Sequence, residues 1–269
     1  MGRMEFERGT IPQVSWVLRF GIAMEFIGHG ALGLGHPHAW TAYFAVMGIP
    51  ENTALAMMPF VGAFDIAMAL VVLLYPMRGA LLYMALWGLC TALLRPLAGE
   101  SAWEAVERAG NFGAAAALFL MAGGSGARSW FRSGGFDLSR IGSGDQVCWV
   151  LRLTTAFLLA GHGALGLLVH KTLFITQYTA IGLPGAWVEP FVGGFECALA
   201  AAVLLRPGFG LLVFVLAWKI ATEALSPIAG SPIWVFVEHG GSYAAPLALA
   251  LLYRGRLGAA HLPFRPSTA

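Results

Sequence analysis

Two histidines stand in the same surroundings 133 residues apart, in Gly28-His29-Gly30-Ala31-Leu32-Gly33 and in Gly161-His162-Gly163-Ala164-Leu165-Gly166. Each sits in an apolar run within reach of acidic residues, and imidazole beside carboxylates exchanges protons near neutral pH. Glu25 is four residues before His29, so the two share a helix face. Asp65 falls inside the next apolar run, and Trp87, Thr91 and Arg95 form an i, i+4, i+8 stripe on the one after it. Glu107 and Asn111 are four apart on the fourth run. The second copy keeps His162, Glu196, Thr222, Glu238 and Ser242 at matching places. It replaces Glu25 by Leu158 and Arg95 by Ser226, and adds Lys219 and Glu223 as an i, i+4 pair of its own. His29, Glu107, His162 and Glu238 are therefore the candidate proton-handling residues. Glu25, Asp65, Thr91, Arg95, Glu196, Thr222 and Glu223 are the candidate ligand contacts.

A bland role competes with each of these. An ionisable side chain in a membrane costs roughly 2.5 to 3.5 kcal/mol on insertion scales, so it faces a bundle interior and has a partner or a task. Asp65 and Glu196 could lock a bundle by hydrogen bonding, and Arg19 and Arg152 lie near enough to a boundary to snorkel. Haem ligation by His29 and His162 would need both imidazoles on one cavity and is not expected. His36 and His38 form a short H-x-H with no third ligand beside them, so no metal site is expected. Cys90, Cys148 and Cys197 form no C-x-x-C and read as small buried hydrophobes.

The elements that must hold these residues are apolar runs of about 20 residues, enough to cross a hydrocarbon core of about 30 Å. They fall near 15–34, 53–75, 79–97 and 103–122, and again near 147–168, 184–205, 208–228 and 234–253. Trp16-Val17-Leu18-Arg19 returns as Trp149-Val150-Leu151-Arg152. After a loop two residues shorter in the second copy, Pro59-Phe60-Val61-Gly62-Ala63-Phe64-Asp65 returns as Pro190-Phe191-Val192-Gly193-Gly194-Phe195-Glu196, now 131 residues on (65 to 196). Such self-similarity marks an internal duplication. The expected fold is all-α, with eight transmembrane helices as two parallel four-helix bundles: a repeat at 14–122, a cytoplasmic linker at 123–146 and a repeat at 147–253. An even number of helices per unit makes the repeats parallel.

Orientation follows from the arginines, because cationic loops resist translocation. Arg3, Arg8, Arg78, Arg128, Arg132, Arg140, Arg206, Arg254, Arg256 and Arg265 fall on one side of the spans, whereas the other side has Lys171, with Arg95 at a helix end. Both termini are expected in the cytoplasm and the chain in a bacterial inner membrane, with lipid as its main surroundings. On this orientation each bundle could hold a polar pocket near the outer leaflet.

Composition points the same way. The chain is 58% hydrophobic and 11% charged, with a mean hydropathy of +0.72, against about 25% charged in soluble domains. A formal net charge of +2 and the lack of any nucleic-acid motif exclude nucleic acid as the partner.

Arg19 followed by Gly21, Phe26, His29 and Gly30, then Val61-Gly62 with Asp65 opening a long apolar run, resembles the DoxX/DoxD-like superfamily of small four-helix membrane proteins. The second copy repeats this with Arg152, Phe157, His162 and Gly163. The resemblance covers nearly the whole chain, once per half, although family members are commonly single four-helix units. It implies redox chemistry at the membrane: a subunit binding a quinone or a small sulfur compound, beside other subunits of a membrane redox complex. The rivals are a structural or assembly subunit and a small-solute transporter.

Overall fold

The computed structural model describes residues 9–123, 127–138 and 143–260. Arg3, Arg8, Arg140 and Arg265 lie outside the described residues, as does part of the 123–146 linker. Every regular element described is helical; the extended backbone forms only isolated antiparallel bridges, Met77 with Ser133 and Ala122 with Phe136.

The first half consists of α1 (Thr10–Gly35), the short α2 (Thr41–Val46), α3 (Glu51–Leu74), α4 (Arg78–Leu97), α5 (Ala102–Glu107) and α6 (Ala109–Met121). The second consists of α7 (Ser143–Ala164), α8 (Thr172–Ala180), α9 (Gly185–Leu205), α10 (Phe209–Glu223), α11 (Leu225–Ile228), α12 (Ile233–Val237) and α13 (Gly240–Ala260). Seven helices, with α10–α11 and α12–α13 each running on as one, are long and apolar enough to cross a membrane. The chain therefore has the character of an integral membrane protein.

An eighth long helix over 103–122 is not present as such. The helix breaks at Arg108, where φ is −81° and ψ 17°, and the apolar piece left, α6, has 13 residues, about 20 Å at 1.5 Å per residue. Three ionisable side chains in five residues, Glu104, Glu107 and Arg108, interrupt the apolar run at the break. The second half breaks at the same place, Glu238–His239, but α13 continues to Ala260 and remains long.

Packing is not confined within halves. α1 packs on α3 and on α12–α13; α7 packs on α9 and on α5–α6; α6 and α13 touch each other. Each half thus lays its fourth helix on the first helix of the other. Burial reports the same layout, with 56% of the apolar window of α1, 67% of that of α7 and 72% of that of α12–α13 inside, against 28% for α3 and α4. Leu18, Ile22, Leu118, Leu151, Leu159 and Leu249 form the shared centre. The peripheral helices turn Phe60, Leu74, Trp187, Phe191 and Leu205 outward, a surface compatible with lipid contact.

Two glycines make the exchange possible. A Cβ at Gly28 would overlap the backbone of Glu238, and one at Gly161 would overlap the backbone of Glu107; these are equivalent contacts in the two halves. Small residues are what permit such approach between helices in a membrane.

The short connection after the first helix also differs between halves. α7 ends in a π-helical turn, Leu165–Val169, followed by His170 at φ 53°. The offset between halves rises from 133 at His29 to 134 at His36 and His170, and the wide turn accommodates the one extra residue.

Candidate functional site

Near the middle of each half, a first-helix histidine meets the carboxylate of the second long helix. His29 Nδ1 lies 2.7 Å from Asp65 Oδ2, and His162 Nδ1 is hydrogen-bonded to Glu196. Each imidazole also packs on an aromatic ring, His29 on Trp40 at 4.1 Å and His162 on Phe174 at 4.3 Å.

The halves part company one step further out. Trp218 donates its indole N–H to Glu196 Oε1 at 2.9 Å, completing the second-half set. Its counterpart Trp87 has a buried Nε1 with no partner, and Asp65 Oδ1 has none either. Aspartate is one methylene shorter than glutamate, which accounts for the unmade bond. Glu25, His29, Trp87, Gly88, Thr91 and Asn111, with Phe26, line a cavity of about 10 Å³ here, room for about one water.

The fourth-helix glutamates find partners in the opposite half. Glu107 Oε1 is 3.3 Å from His239 Nε2, and Glu238 Oε1 is 3.7 Å from Arg108 Nη2. Arg108 and His239 are equivalent positions, 131 residues apart, so the Glu107-Arg108 and Glu238-His239 dipeptides exchange partners. A polar pocket closed within each bundle is the expectation; the glutamates instead pair across the halves, because α5 lies on α7 and α12 on α1. His239 is held by Nδ1–H donation to the Val235 carbonyl at 2.7 Å.

His239 also approaches Glu223 Oε2 at 3.6 Å, and Lys219 Nζ lies 2.6 Å from Glu223 Oε1. That contact is a close ion pair whose angles are not those of a hydrogen bond. Glu107, Glu223 and His239 bring ligand-type atoms within 4.8 Å of one another, so these three could hold a metal. Lys219 already sets a positive charge against Glu223.

Other expected contacts are engaged elsewhere. Thr91 donates to the Gly88 carbonyl and Thr222 to that of Lys219, so both hydroxyls bond back to their own helices. Arg95 is spent on Glu100 at 2.9 Å, on Glu104 at 3.8 Å and on the ring of Tyr43; Lys171 reaches Glu104 at 2.7 Å from the other half. In the second half Gln177 donates to Ser226 at 2.6 Å in the corresponding place. Arg19 and Arg152 donate to the terminal carbonyls of α3 and α9, Nε meeting Val72 O at 2.9 Å and Val203 O at 3.0 Å, a helix-capping role.

Between the long helices, burial would raise the Glu100 carboxyl, but the Tyr43 hydrogen bond and the Arg95 charge together hold it below the ordinary value. Burial is also the main reason the Tyr43 phenol is pushed up to about 12.

His239 and Glu189 are absent from the sequence-derived set. His239 was findable, since it stands where the repeat puts Arg108. Glu189, buried with one oxygen unpartnered, replaces the buried Met58 of the first half; an acid beside Pro190 at the start of an apolar run was the signal. In comparison with known proteins, no family model, no curated protein and no solved structure matches the chain.

Proposed function

We propose that this chain is a DoxX-like, redox-associated integral-membrane protein that binds the head of a quinone at the His29 cavity and exchanges protons with it. In this reading α5–α6 makes the eighth crossing, the two repeats run parallel, and the arginine-rich end, with both termini, faces the cytoplasm of a bacterial cell. The cavity then lies towards the outer leaflet. The exposed faces of α3, α4, α9 and α10 meet lipid and other subunits of a redox complex.

The observation that carries this reading is a donor and an acceptor left without partners in one place: Trp87 Nε1 and Asp65 Oδ1, beside the imidazole of His29. A buried polar atom without a partner costs about 1 to 3 kcal/mol, and the second half shows that one methylene would remove the cost. A quinone oxygen can accept from the Trp87 indole, and the hydroxyl of the reduced form can donate to Asp65, with His29 relaying the protons while the two electrons pass to or from another subunit of the redox complex. Between the two ligands that the resemblance implies, the cavity favours the quinone. An anionic sulfur species would face Glu25 and Asp65, whereas a quinone is neutral and needs to insert only its carbonyl edge into so small a space.

The test is quenching of tryptophan fluorescence by a short-chain quinone in detergent-purified protein. Saturable quenching, weakened about tenfold in Trp87→Phe and in Asp65→Asn, is the expected result. Quenching that is linear, or unchanged in both variants, would remove the quinone reading and leave a structural subunit ahead.

A further inference from the structure

Among the described residues, each buried carboxylate except Glu25 has a basic side chain within 4 Å. Glu25 is 3% exposed, and its Oε2 has no hydrogen-bond partner. Gly241 of the second half walls it in, since a Cβ there would sit 2.6 Å from that oxygen. An isolated ionised carboxylate in such a place is costly unless something compensates it.

The second half contains the compensation. Through the 131-residue offset Lys219 stands where the first half has Gly88, and Glu223 where it has Ala92; through the 133-residue offset Leu158 stands at the place of Glu25. The electrostatic neighbours of Lys219 include Glu223, Glu196 and Glu107. Those of Glu25 include Glu238 and Asp65, the equivalents of Glu107 and Glu196, together with Arg108, whose guanidinium is directed to Glu238 and makes no ion pair with Glu25 within 4 Å. One half therefore holds an ammonium and a carboxylate together, and the other holds a carboxylate beside a cavity, with Gly88 on its wall.

We propose that the first-half cavity binds one small monovalent cation, ammonium or an alkali ion, against Glu25, in the part played by the Lys219 ammonium in the second half. Glu25, Thr91 and Asn111 offer oxygen atoms around it. The cavity, about 10 Å³, admits an ion about the size of a water. A hydrated divalent ion is too large for it, and magnesium gives up its waters reluctantly. The site goes beyond the quinone reading and does not depend on it; the two share a cavity with room for about one water, so the ion and the carbonyl edge of a ring occupy it in turn.

The experiment uses the full chain in detergent, exchanged into tetramethylammonium chloride and titrated at constant ionic strength with ammonium, sodium or potassium chloride. Thermal unfolding and titration calorimetry are the readouts, with no quinone present. The expected result is a saturable rise in Tm and a one-to-one binding heat with at least one of the small cations, at concentrations at least tenfold below any effect of tetramethylammonium, as ligand linkage requires. Glu25→Gln should fold and lose both signals; if it does not fold, Glu25→Leu, which installs the side chain of Leu158, takes its place. Equal Tm in every salt, as a protonated Glu25 would give, overturns the proposal. So does a response retained in the Glu25 variants. Cation binding without quinone quenching, or the reverse, separates this site from the reading above.

Discussion

Glu107 of the first half and His239 of the second lie 3.3 Å apart, both buried. Their pairing, with its mirror in Arg108 and Glu238, ties together two segments that the chain separates by more than a hundred residues.

Removing one member should therefore act on the whole molecule. His239→Leu leaves Glu107 without a basic partner and deprives Glu223 of one, and breaking a buried pair from one side costs about 3 to 5 kcal/mol. We predict a large fall in thermal stability in detergent. Adding Glu107→Leu should restore part of it, and a double variant no better than the single one would show that the pair is not what holds the halves.

Gly28→Ala and Gly161→Ala should each destabilise by about 1 to 3 kcal/mol, the usual range for overpacking. The comparison is Gly194→Ala on α9, where an added methyl meets nothing within 4 Å. That change should stabilise by roughly 0.5 to 1 kcal/mol through helix propensity. Similar losses at all three positions would remove the close-approach argument.

Asp65→Glu lengthens the first-half carboxylate to match Glu196. If length alone leaves Trp87 Nε1 unbonded, the variant gains a hydrogen bond worth about 1 kcal/mol and a higher Tm, and quinone quenching falls because the indole is now engaged. Glu196→Asp should do the opposite to stability. A lower Tm for Asp65→Glu would mean that the cavity does not accept the added methylene.

A pH effect is expected from the surface, at Tyr43 and Glu100. The Glu100 carboxyl is held below its ordinary value of 4.5, so the stability it contributes is present above that value and is lost as pH falls through the lowered one. Tyr43→Phe removes the hydrogen bond and should move the acid limb of the Tm profile to higher pH. An unmoved acid limb would show that Arg95 alone sets the carboxyl.

The duplication, the helical class and the apolar runs were legible because offset and hydropathy are properties of the sequence itself. So was the Lys219–Glu223 pair, which helical spacing brings together. What spacing could not give was the partner of Glu107. Residues one turn apart are neighbours in any helix, but which helix lies on α7 depends on where glycines let backbones meet. The Gly161 contact with the Glu107 backbone decides that, and nothing local to either residue announces it. Arg95 misled for the same reason, since its partners Glu100 and Tyr43 come from connections that read as loops. The break at Arg108 shortened an element that hydropathy had drawn as continuous.

The exchange of fourth helices has a consequence for how such a chain arises. A single four-helix unit built on this plan would expose the first-helix face that here receives the partner half, and it would offer its own fourth helix to a neighbour. It would be a self-pairing protomer, with every substitution appearing twice. Joining two such units in one polypeptide removes that constraint. Each copy can then drift alone, so that one acquires a lysine and the other an acid with no counterpart, as Lys219 and Glu25 have done.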